Sequence, residues 1–157
     1  PMGLEGCGST VPQYSTPFQP LTPSQRSAIQ ARIDARTATR AEYQHLNWDR
    51  RFSNRRNRGV SRFWAQERRA LRAGGPGTRD WSPQQRNDII AGRTPTFDGQ
   101  PIEGHHKYNA LDHPQLADDP SNIYPATRNE HQHRWHGGNW QNDTYGVPNN
   151  PNYPEDF

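Results

Sequence analysis

Histidines in the second half of the chain have the type and spacing that metal chemistry needs. Five of them lie close together in sequence: His105, His106, His131, His133 and His136. Adjacent residues in a strand point to opposite faces. The adjacent pair is therefore expected at the end of a strand, with one imidazole turned to a metal and the other to a substrate.

This arrangement suits the hydrolysis of a phosphodiester. The reaction needs an activated water, neutralisation of charge at phosphorus and stabilisation of the leaving oxygen. One divalent cation can supply the last two. An imidazole with no metal bond can activate the water, because its pKa lies near neutrality and an amide or carbonyl oxygen can hold its other nitrogen.

The composition allows only a small hydrophobic core. Leu, Ile, Val and Phe account for 20 of the 157 residues, although five Trp and six Tyr can organise a compact interior. We expect one loop-rich domain that gains part of its stability from a metal or a partner. Cys7 is the single cysteine, which excludes an intrachain disulfide and a cysteine-based zinc site.

Neither a membrane anchor nor a signal peptide is predicted, because no apolar run is long enough. The start Pro1-Met2-Gly3 resembles that of an excised fragment, so the native protein is expected to be longer.

Charge is distributed unevenly along the chain. Residues 24–93 contain 16 Arg and six acidic residues, whereas residues 94–157 contain three basic and nine acidic residues. The planar guanidinium fork matches phosphate oxygens, so this asymmetry favours phosphodiester binding. The alternative is a solvated helical face that pairs with the acidic half.

The basic part is predicted to be helical. Residues 1–22 are rich in Pro, Gly, Ser and Thr and are expected to form a linker or an extended segment. Helices are predicted over about 23–45, 58–73 and 83–92, and residues 23–93 form the Arg-rich helical part. The first helix would carry an i, i+4 stripe that binds DNA, made of Arg32, Arg36 and Arg40.

Residues 94–142 are predicted to form a ββα-metal core. Short strands at Thr96-Phe97 and Ile102-Glu103 flank an Asp98-Gly99 turn, and an extended piece is expected over 122–124 after a polar loop. A capping box, Thr127 to Glu130, begins a helix that carries His131. With an irregular tail over 143–157, the fold class is α+β and residues 23–157 form one domain.

The pattern Gly104-His105-His106, Asn122 and His131 resembles the HNH endonuclease superfamily, specifically its GHH-signature toxin branch. The similarity is strongest from Trp81 to Asn142, and residues before about 74 match less specifically. It implies a treble-clef-like ββα-metal motif that binds one divalent ion, such as Mg, Mn, Zn or Ni.

The resemblance also implies a role for each histidine. His105 and His131 would bind the metal, and His106 would be the general base. Asn122 would orient that base and steady its loop. The family often has a third ligand four residues after the second, but Trp135 stands there; His136 is the best candidate instead, with His133 or water as alternatives.

The implied function is a largely non-specific DNA endonuclease that acts as an antibacterial toxin. Such domains are carried by type VI secretion effectors behind a PAAR or Rhs region and are delivered to the cytoplasm of a target bacterium. The producer would need an immunity protein, acidic or shaped to block the site.

Three other interpretations use the same residues. The chain could be an RNase toxin, a nucleic-acid-binding module with a structural zinc held by histidines, or a structural segment of a secretion tip protein. A structural zinc site usually has four protein ligands, often including Cys. Trp135 and Trp140 are expected in the core rather than in base stacking, and Glu130 is better explained by helix capping than by catalysis.

Overall fold

Three α-helices precede two small antiparallel sheets in this α+β fold. The computed structural model describes residues 11–157, so Cys7 and the first part of the predicted linker lie outside it. The helices are α1 (Pro23–Asp34), α2 (Arg40–Arg72) and α3 (Pro83–Ile90). The strands are β1 (Thr96–Phe97), β2 (Gln100–Pro101), β3 (Glu103–His106) and β4 (Ile123–Ala126), and a π-helix follows at Glu130–Trp135.

The predicted first helix, over 23–45, is wrong because two helices occupy that region. The chain turns after α1 at Arg36, whose φ of 62° lies in the left-handed region. A capping box then starts α2: the Thr39 hydroxyl accepts from the Glu42 amide, and the Glu42 carboxylate accepts from the Thr39 amide. The Thr-x-x-Glu pattern at 39–42 was present in the sequence.

The proposed stripe of Arg32, Arg36 and Arg40 is therefore not a stripe. Arg32 belongs to α1 and pairs with Glu42 at 2.5 Å, Arg36 lies in the turn, and Arg40 is the first residue of α2. The premise of one continuous helix is wrong, whereas DNA binding by these arginines stays a prediction.

Helix α2 is a single helix of 33 residues, so the separate helix predicted over 58–73 is also wrong. Its buried face includes polar residues that have partners inside the protein. Asp49 accepts from the Leu21 amide at 2.8 Å, and Glu67 accepts from the Trp81 indole at 2.6 Å. Because these carboxylates occupy buried positions, they interrupt the apolar repeat from which a helix is predicted.

Helix α3 and the first hairpin come close to the prediction. A Ser82 capping box starts α3, and β1 and β2 flank the Asp98-Gly99 turn. The second strand is Gln100–Pro101 rather than Ile102-Glu103. The buried Ile102 follows this strand, and its amide donates to the Pro95 carbonyl. Glu103 instead begins β3.

The second sheet forms the ββα core. Strand β3 pairs with β4 in antiparallel register, from Glu103 opposite Ala126 to His106 opposite Ile123. The two adjacent histidines thus lie at the end of a strand, as expected. A capping box of Thr127 and Glu130 then starts the final helix, also as predicted.

Both ends of the described chain pack on this framework. Leu21, in the extended N-terminal segment, joins a core cluster with Ile29 and Leu46. At the other end Phe157 packs against Trp81. No helix within residues 11–157 combines the length and apolar character needed to cross a membrane.

Candidate metal centre and catalytic pocket

Three histidines from two elements converge at one point. His105 comes from β3, His131 from the π-helix, and His136 directly follows that helix. One ring nitrogen of each lies within 4.8 Å of the others. His133 lies outside this cluster and stacks on Tyr153. The structure thus brings together His105, His131 and His136, the ligands favoured from the sequence. The alternative third ligand, His133, is not among them.

The π-helix explains why the third member is five residues after His131 rather than four. The His136 amide donates to the His131 carbonyl at 3.1 Å, an i→i+5 bond. The wider turn places residues five apart on one face, and π-turns are often found at functional sites. Trp135, at the usual i+4 position, points into the core and is 5 % exposed.

Each helical member of the cluster has its Nδ1 fixed by an acceptor. His131 Nδ1 bonds the Glu103 carboxylate at 2.8 Å, and His136 Nδ1 bonds the Asn142 carbonyl at 2.8 Å. Nε2 is then the nitrogen left for a metal, which is the usual arrangement for a ligating histidine. His105 Nε2 is buried without a hydrogen-bond partner. An orphaned imidazole nitrogen beside two oriented ones fits a divalent cation.

His105 and His131 are held in the neutral form that metal binding requires. Burial, reinforced by the neighbouring histidines, lowers the pKa of His105 to about 2. Burial also lowers the pKa of His131, although Glu103 opposes the change. At neutral pH both rings therefore offer a lone pair, so a metal would not have to displace a proton.

His106 is not a member of this cluster and has a carbonyl partner of its own. Its Nε2 donates to the Ala117 carbonyl at 2.9 Å. Burial lowers the pKa of His106 to about 4, with the Ala117 bond opposing and the Arg56 cation adding to the effect. The ring is neutral at physiological pH, and Nδ1 is the nitrogen that can accept a proton.

Asn122 fixes the loop that carries this carbonyl. Its Oδ1 accepts from the Tyr108 amide at 2.8 Å, and its Nδ2 donates to the carbonyls of Tyr108 and Leu116. Leu116 precedes Ala117. Among the described hydrogen bonds Asn122 has none to His106, so it can orient the imidazole only through the loop.

Helix α2 closes one side of the site. A β-carbon at Gly59 would lie 2.4 Å from the Ala117 carbonyl oxygen, so only glycine lets the helix approach the loop this closely. Arg56, one turn earlier on α2, lines the cavity together with His105 and His106. Within residues 11–157 this guanidinium has no acidic partner, and its one recorded side-chain contact is with the Phe52 ring.

Several residues of the site were not singled out from the sequence. Arg56 lies in a part of α2 where no helix was predicted, and Gly59 lies at the start of the predicted helix over 58–73 without a role assigned to it. Glu103 was predicted as a residue of the second strand, and in the structure its carboxylate orients His131. Trp140 was expected in the core, yet it is 41 % exposed and lines the cavity.

Comparison with known proteins assigns this chain to a family. Residues 46–127 match the family described as "GHH signature containing HNH/Endo VII superfamily nuclease toxin". The matched segment contains the Gly104-His105-His106 motif and Asn122, and it ends before His131. It also starts well before Trp81, so the family includes most of α2.

A curated relative matches part of the chain. Over 67 residues the chain is 36% identical to Teneurin-m of Drosophila melanogaster, an alignment that covers 42% of the chain. The chain spans about 2% of the length of that relative. Since the family match covers more than half of the chain and includes the GHH motif, this chain belongs to the GHH-signature nuclease toxins of the HNH/Endo VII superfamily.

Proposed function

We propose that the chain is a metal-dependent endonuclease that hydrolyses DNA phosphodiester bonds without sequence specificity. One observation carries this proposal. Ring nitrogens of His131 and His136 lie close to that of His105, whose Nε2 is buried without a partner among the described residues. A fourth, neutral imidazole, that of His106, lines the same cavity with one nitrogen held by a carbonyl. A metal centre adjacent to a separate general base is the arrangement that phosphodiester hydrolysis requires.

His106 would act on the attacking water. Its Nε2–H is engaged with Ala117, so Nδ1 accepts a proton as the water oxygen attacks phosphorus. The bond between phosphorus and the leaving 3′ oxygen then breaks. When bound to the histidine cluster, a divalent cation would supply charge neutralisation at the scissile phosphate and at that oxygen.

Arg56 would bind the scissile phosphate. Within residues 11–157 its guanidinium has no acidic partner, and at the wall of the cavity that contains His105 and His106 it can donate two hydrogen bonds to non-bridging oxygens. We expect Arg56→Gln to slow cleavage by roughly 10²–10³-fold, the cost typical of losing one donor to a developing oxyanion. The affinity for Zn²⁺, measured by calorimetry, should not change. Arg50→Gln, an exposed position on the same helix, is the matched control.

The metal requirement can be tested directly on supercoiled plasmid. The purified chain would be incubated with excess EDTA, then with added Mg²⁺, Mn²⁺, Zn²⁺ or Ni²⁺. Imidazole ligands bind Zn²⁺ and Ni²⁺ tightly, so we expect cleavage with Mg²⁺ or Mn²⁺ and tight Zn²⁺ binding that inhibits. Undiminished cleavage in excess EDTA would exclude the proposal.

The nature of the nucleic acid is tested in the same assay. We propose DNA because the Arg-rich helices offer a basic surface and the family consists of nuclease toxins. Linear duplex DNA of several sequences should be cut at many positions. A chain that degrades RNA of the same length much faster than DNA would instead be an RNase.

A structural zinc site is the less favoured alternative. Within residues 11–157 the cluster offers three histidine ligands, whereas structural zinc sites usually have four protein ligands. If Zn²⁺ raised the melting temperature but no metal supported cleavage, the structural interpretation would replace the catalytic one.

Delivery and control are part of the same proposal. We propose that the chain is the toxic part of a longer type VI effector with a PAAR or Rhs region, that it acts in the cytoplasm of a target bacterium, and that an immunity protein protects the producer. Induced expression in the bacterial cytoplasm should stop growth and degrade the chromosome. His106→Ala should remove this effect, and co-expression of the immunity protein should suppress it.

A further inference from the structure

Trp140 is exposed, although the sequence analysis places it in the core. It is 41 % exposed, whereas Trp135 and Trp81 are each 5 % exposed. It lines the same cavity as the metal-ligand cluster, and its ring centroid lies 4.8 Å from that of His131 and 5.2 Å from that of His136. Of the exposed large hydrophobic residues within 11–157, Trp140 alone belongs to this cavity.

The exposed ring is held in place by its own turn. The Asn142 side chain donates to the His136 carbonyl at 2.8 Å, and the Asn142 amide donates to the Asn139 carbonyl at 3.0 Å. Gln141 bonds the Asn139 side chain, also at 3.0 Å. The protein therefore presents an apolar, planar surface to solvent from an ordered loop.

The surroundings of the ring match a nucleotide. The Arg128 guanidinium lies 5.7 Å from the ring centroid and is itself bound to Glu103. On α2, Arg56 faces the same cavity and can bind a phosphate. The cavity thus holds a planar apolar surface and a cation that has no acidic partner among the described residues. These provide separate places for a base and for its phosphate.

We propose that the exposed ring of Trp140 is a nucleobase subsite, which stacks the base next to the scissile phosphate. The inference rests on the proposed function, since it assigns the substrate of the same site. A base inside a duplex is stacked on both sides, so only an unpaired or extruded base can offer its face to Trp140. The subsite therefore makes the enzyme prefer single-stranded DNA to duplex DNA.

Binding without catalysis tests the subsite separately from the nuclease activity. Fluorescence anisotropy of a labelled 20-nucleotide oligodeoxythymidine, and of a duplex of equal length, would be measured in EDTA. Trp140→Leu keeps an apolar cover and loses the stacking surface. We expect it to weaken oligodeoxythymidine binding by roughly 5- to 150-fold and duplex binding much less, because stacking on an aromatic side chain contributes that range.

Three comparisons make the result specific. Trp140→Phe should retain most of the affinity, because a smaller aromatic ring still stacks. Tyr43→Leu removes an exposed aromatic residue that does not line the cavity, and it should change nothing. Zn²⁺ affinity should be equal in Trp140→Leu and in the parent.

Two outcomes would overturn the inference. Oligodeoxythymidine affinity of Trp140→Leu within twofold of the parent would show that no base stacks there. Equal losses for both oligonucleotides, with weakened Zn²⁺ binding, would show that the ring only covers the metal cluster. Failure of the proposed function looks different: the parent would bind oligodeoxythymidine through Trp140 and yet cleave nothing with any metal.

Discussion

At the scale of single residues, substitutions of the four site histidines should separate catalysis from metal binding. His106→Ala should reduce cleavage by about 10²–10⁴-fold, the usual contribution of a general base, and should leave Zn²⁺ binding intact. His131→Ala should lose both cleavage and Zn²⁺ binding, because its Nε2 is one of the three nitrogens of the candidate metal site. Plasmid cleavage and calorimetric Zn²⁺ titration measure the two properties. Loss of Zn²⁺ binding in His106→Ala, with retention in His105→Ala, would reverse the assignment within the pair.

The third ligand is tested by a matched pair of variants in the same experiment. His136→Ala should weaken Zn²⁺ binding, whereas His133→Ala should not, because His133 stacks on Tyr153 outside the cluster. The opposite result would mean that the π-turn does not supply the ligand.

The motif residues that carry the resemblance to the GHH-signature branch are sufficient to name the candidate cluster. The resemblance implies His105, His131 and His136 as ligands, and the structure places these three together. The hydrogen-bond partners of the site histidines could not be predicted from the sequence. The Ala117 carbonyl that holds His106 is a main-chain group that any residue could supply. Likewise Glu103 becomes the partner of His131 only through strand pairing and the position of the π-helix.

At the scale of elements, the contact between α2 and the β3–β4 loop should control the general base. Alanine at Gly59 would place its β-carbon 2.4 Å from the Ala117 oxygen. In an unobstructed helix Gly→Ala stabilises by about 1 kcal/mol, but forced overpacking costs about 1–3 kcal/mol. We therefore expect Gly59→Ala to lower the melting temperature and, by moving the carbonyl away from His106, to lower kcat.

Its control is Ser61→Ala, an exposed position on the same helix that changes propensity without a clash. A Gly59→Ala protein with a raised melting temperature and an unchanged kcat would show that the loop adjusts freely. Zn²⁺ affinity should be the same in both variants, since neither residue lines the cavity that contains the histidine cluster.

The solvent face of α2 offers a better basic stripe than the one first predicted. Four arginines recur at intervals of four, three and four residues, which is one face of a helix: Arg51, Arg55, Arg58 and Arg62. Arg55 and Arg62 lie near Asp118, at 3.7 Å each. Within residues 11–157 no acidic partner is recorded for Arg51 and Arg58, so these two are the more available for phosphates.

Salt dependence distinguishes the two sets of arginines. Each phosphate neutralised contributes about −0.9 to the slope of log affinity against log salt for duplex DNA. Replacing Arg51 and Arg58 with Gln should flatten this slope by up to about 1.8 units. Replacing Arg32, Arg36 and Arg40 should flatten it less, since Arg32 is paired with Glu42. If only the replacement of Arg32, Arg36 and Arg40 changes the slope, these three bind DNA as first predicted, and the arginines of α2 do not contact the DNA backbone.

The elements that were wrongly predicted share a physical reason. Helix α2 buries Asp49, Gly59 and Glu67, so its inner face is not consistently apolar. Their partners come from distant parts of the chain and are invisible in a local window. Local capping patterns were more informative: Ser82 and Thr127 marked the starts of their helices correctly, whereas the box at Thr39 was overlooked.

At the scale of the whole molecule, one buried ion pair joins the separate parts of the site. Arg79, in the segment between α2 and α3, donates to both carboxylate oxygens of Glu130 at 2.7 and 2.9 Å. It also bonds the carbonyls of Pro125 and Phe157, and its guanidinium lies 3.8 Å from the Phe157 ring centroid. Glu130 precedes His131, so this pair links the helical part, β4 and the tail to the metal cluster.

Breaking this pair should therefore affect both stability and metal binding. Arg79 and Glu130 side chains are 4% and 0% exposed, and an uncompensated buried carboxylate costs about 3–5 kcal/mol. Arg79→Met should lower the free energy of unfolding by that amount in urea and also weaken Zn²⁺ binding. The control Arg93→Met removes a pair whose arginine is 63% exposed, and should cost less than about 1 kcal/mol.

The double variant Arg79→Met with Glu130→Gln identifies the cause. Glutamine keeps an oxygen for the Thr127 amide but carries no charge, so no buried charge remains without a partner. The double variant should be more stable than Arg79→Met alone and should regain part of its Zn²⁺ affinity. If it is less stable than Arg79→Met, the lost packing of Arg79 against Phe157, rather than an unpaired charge, accounts for the effect.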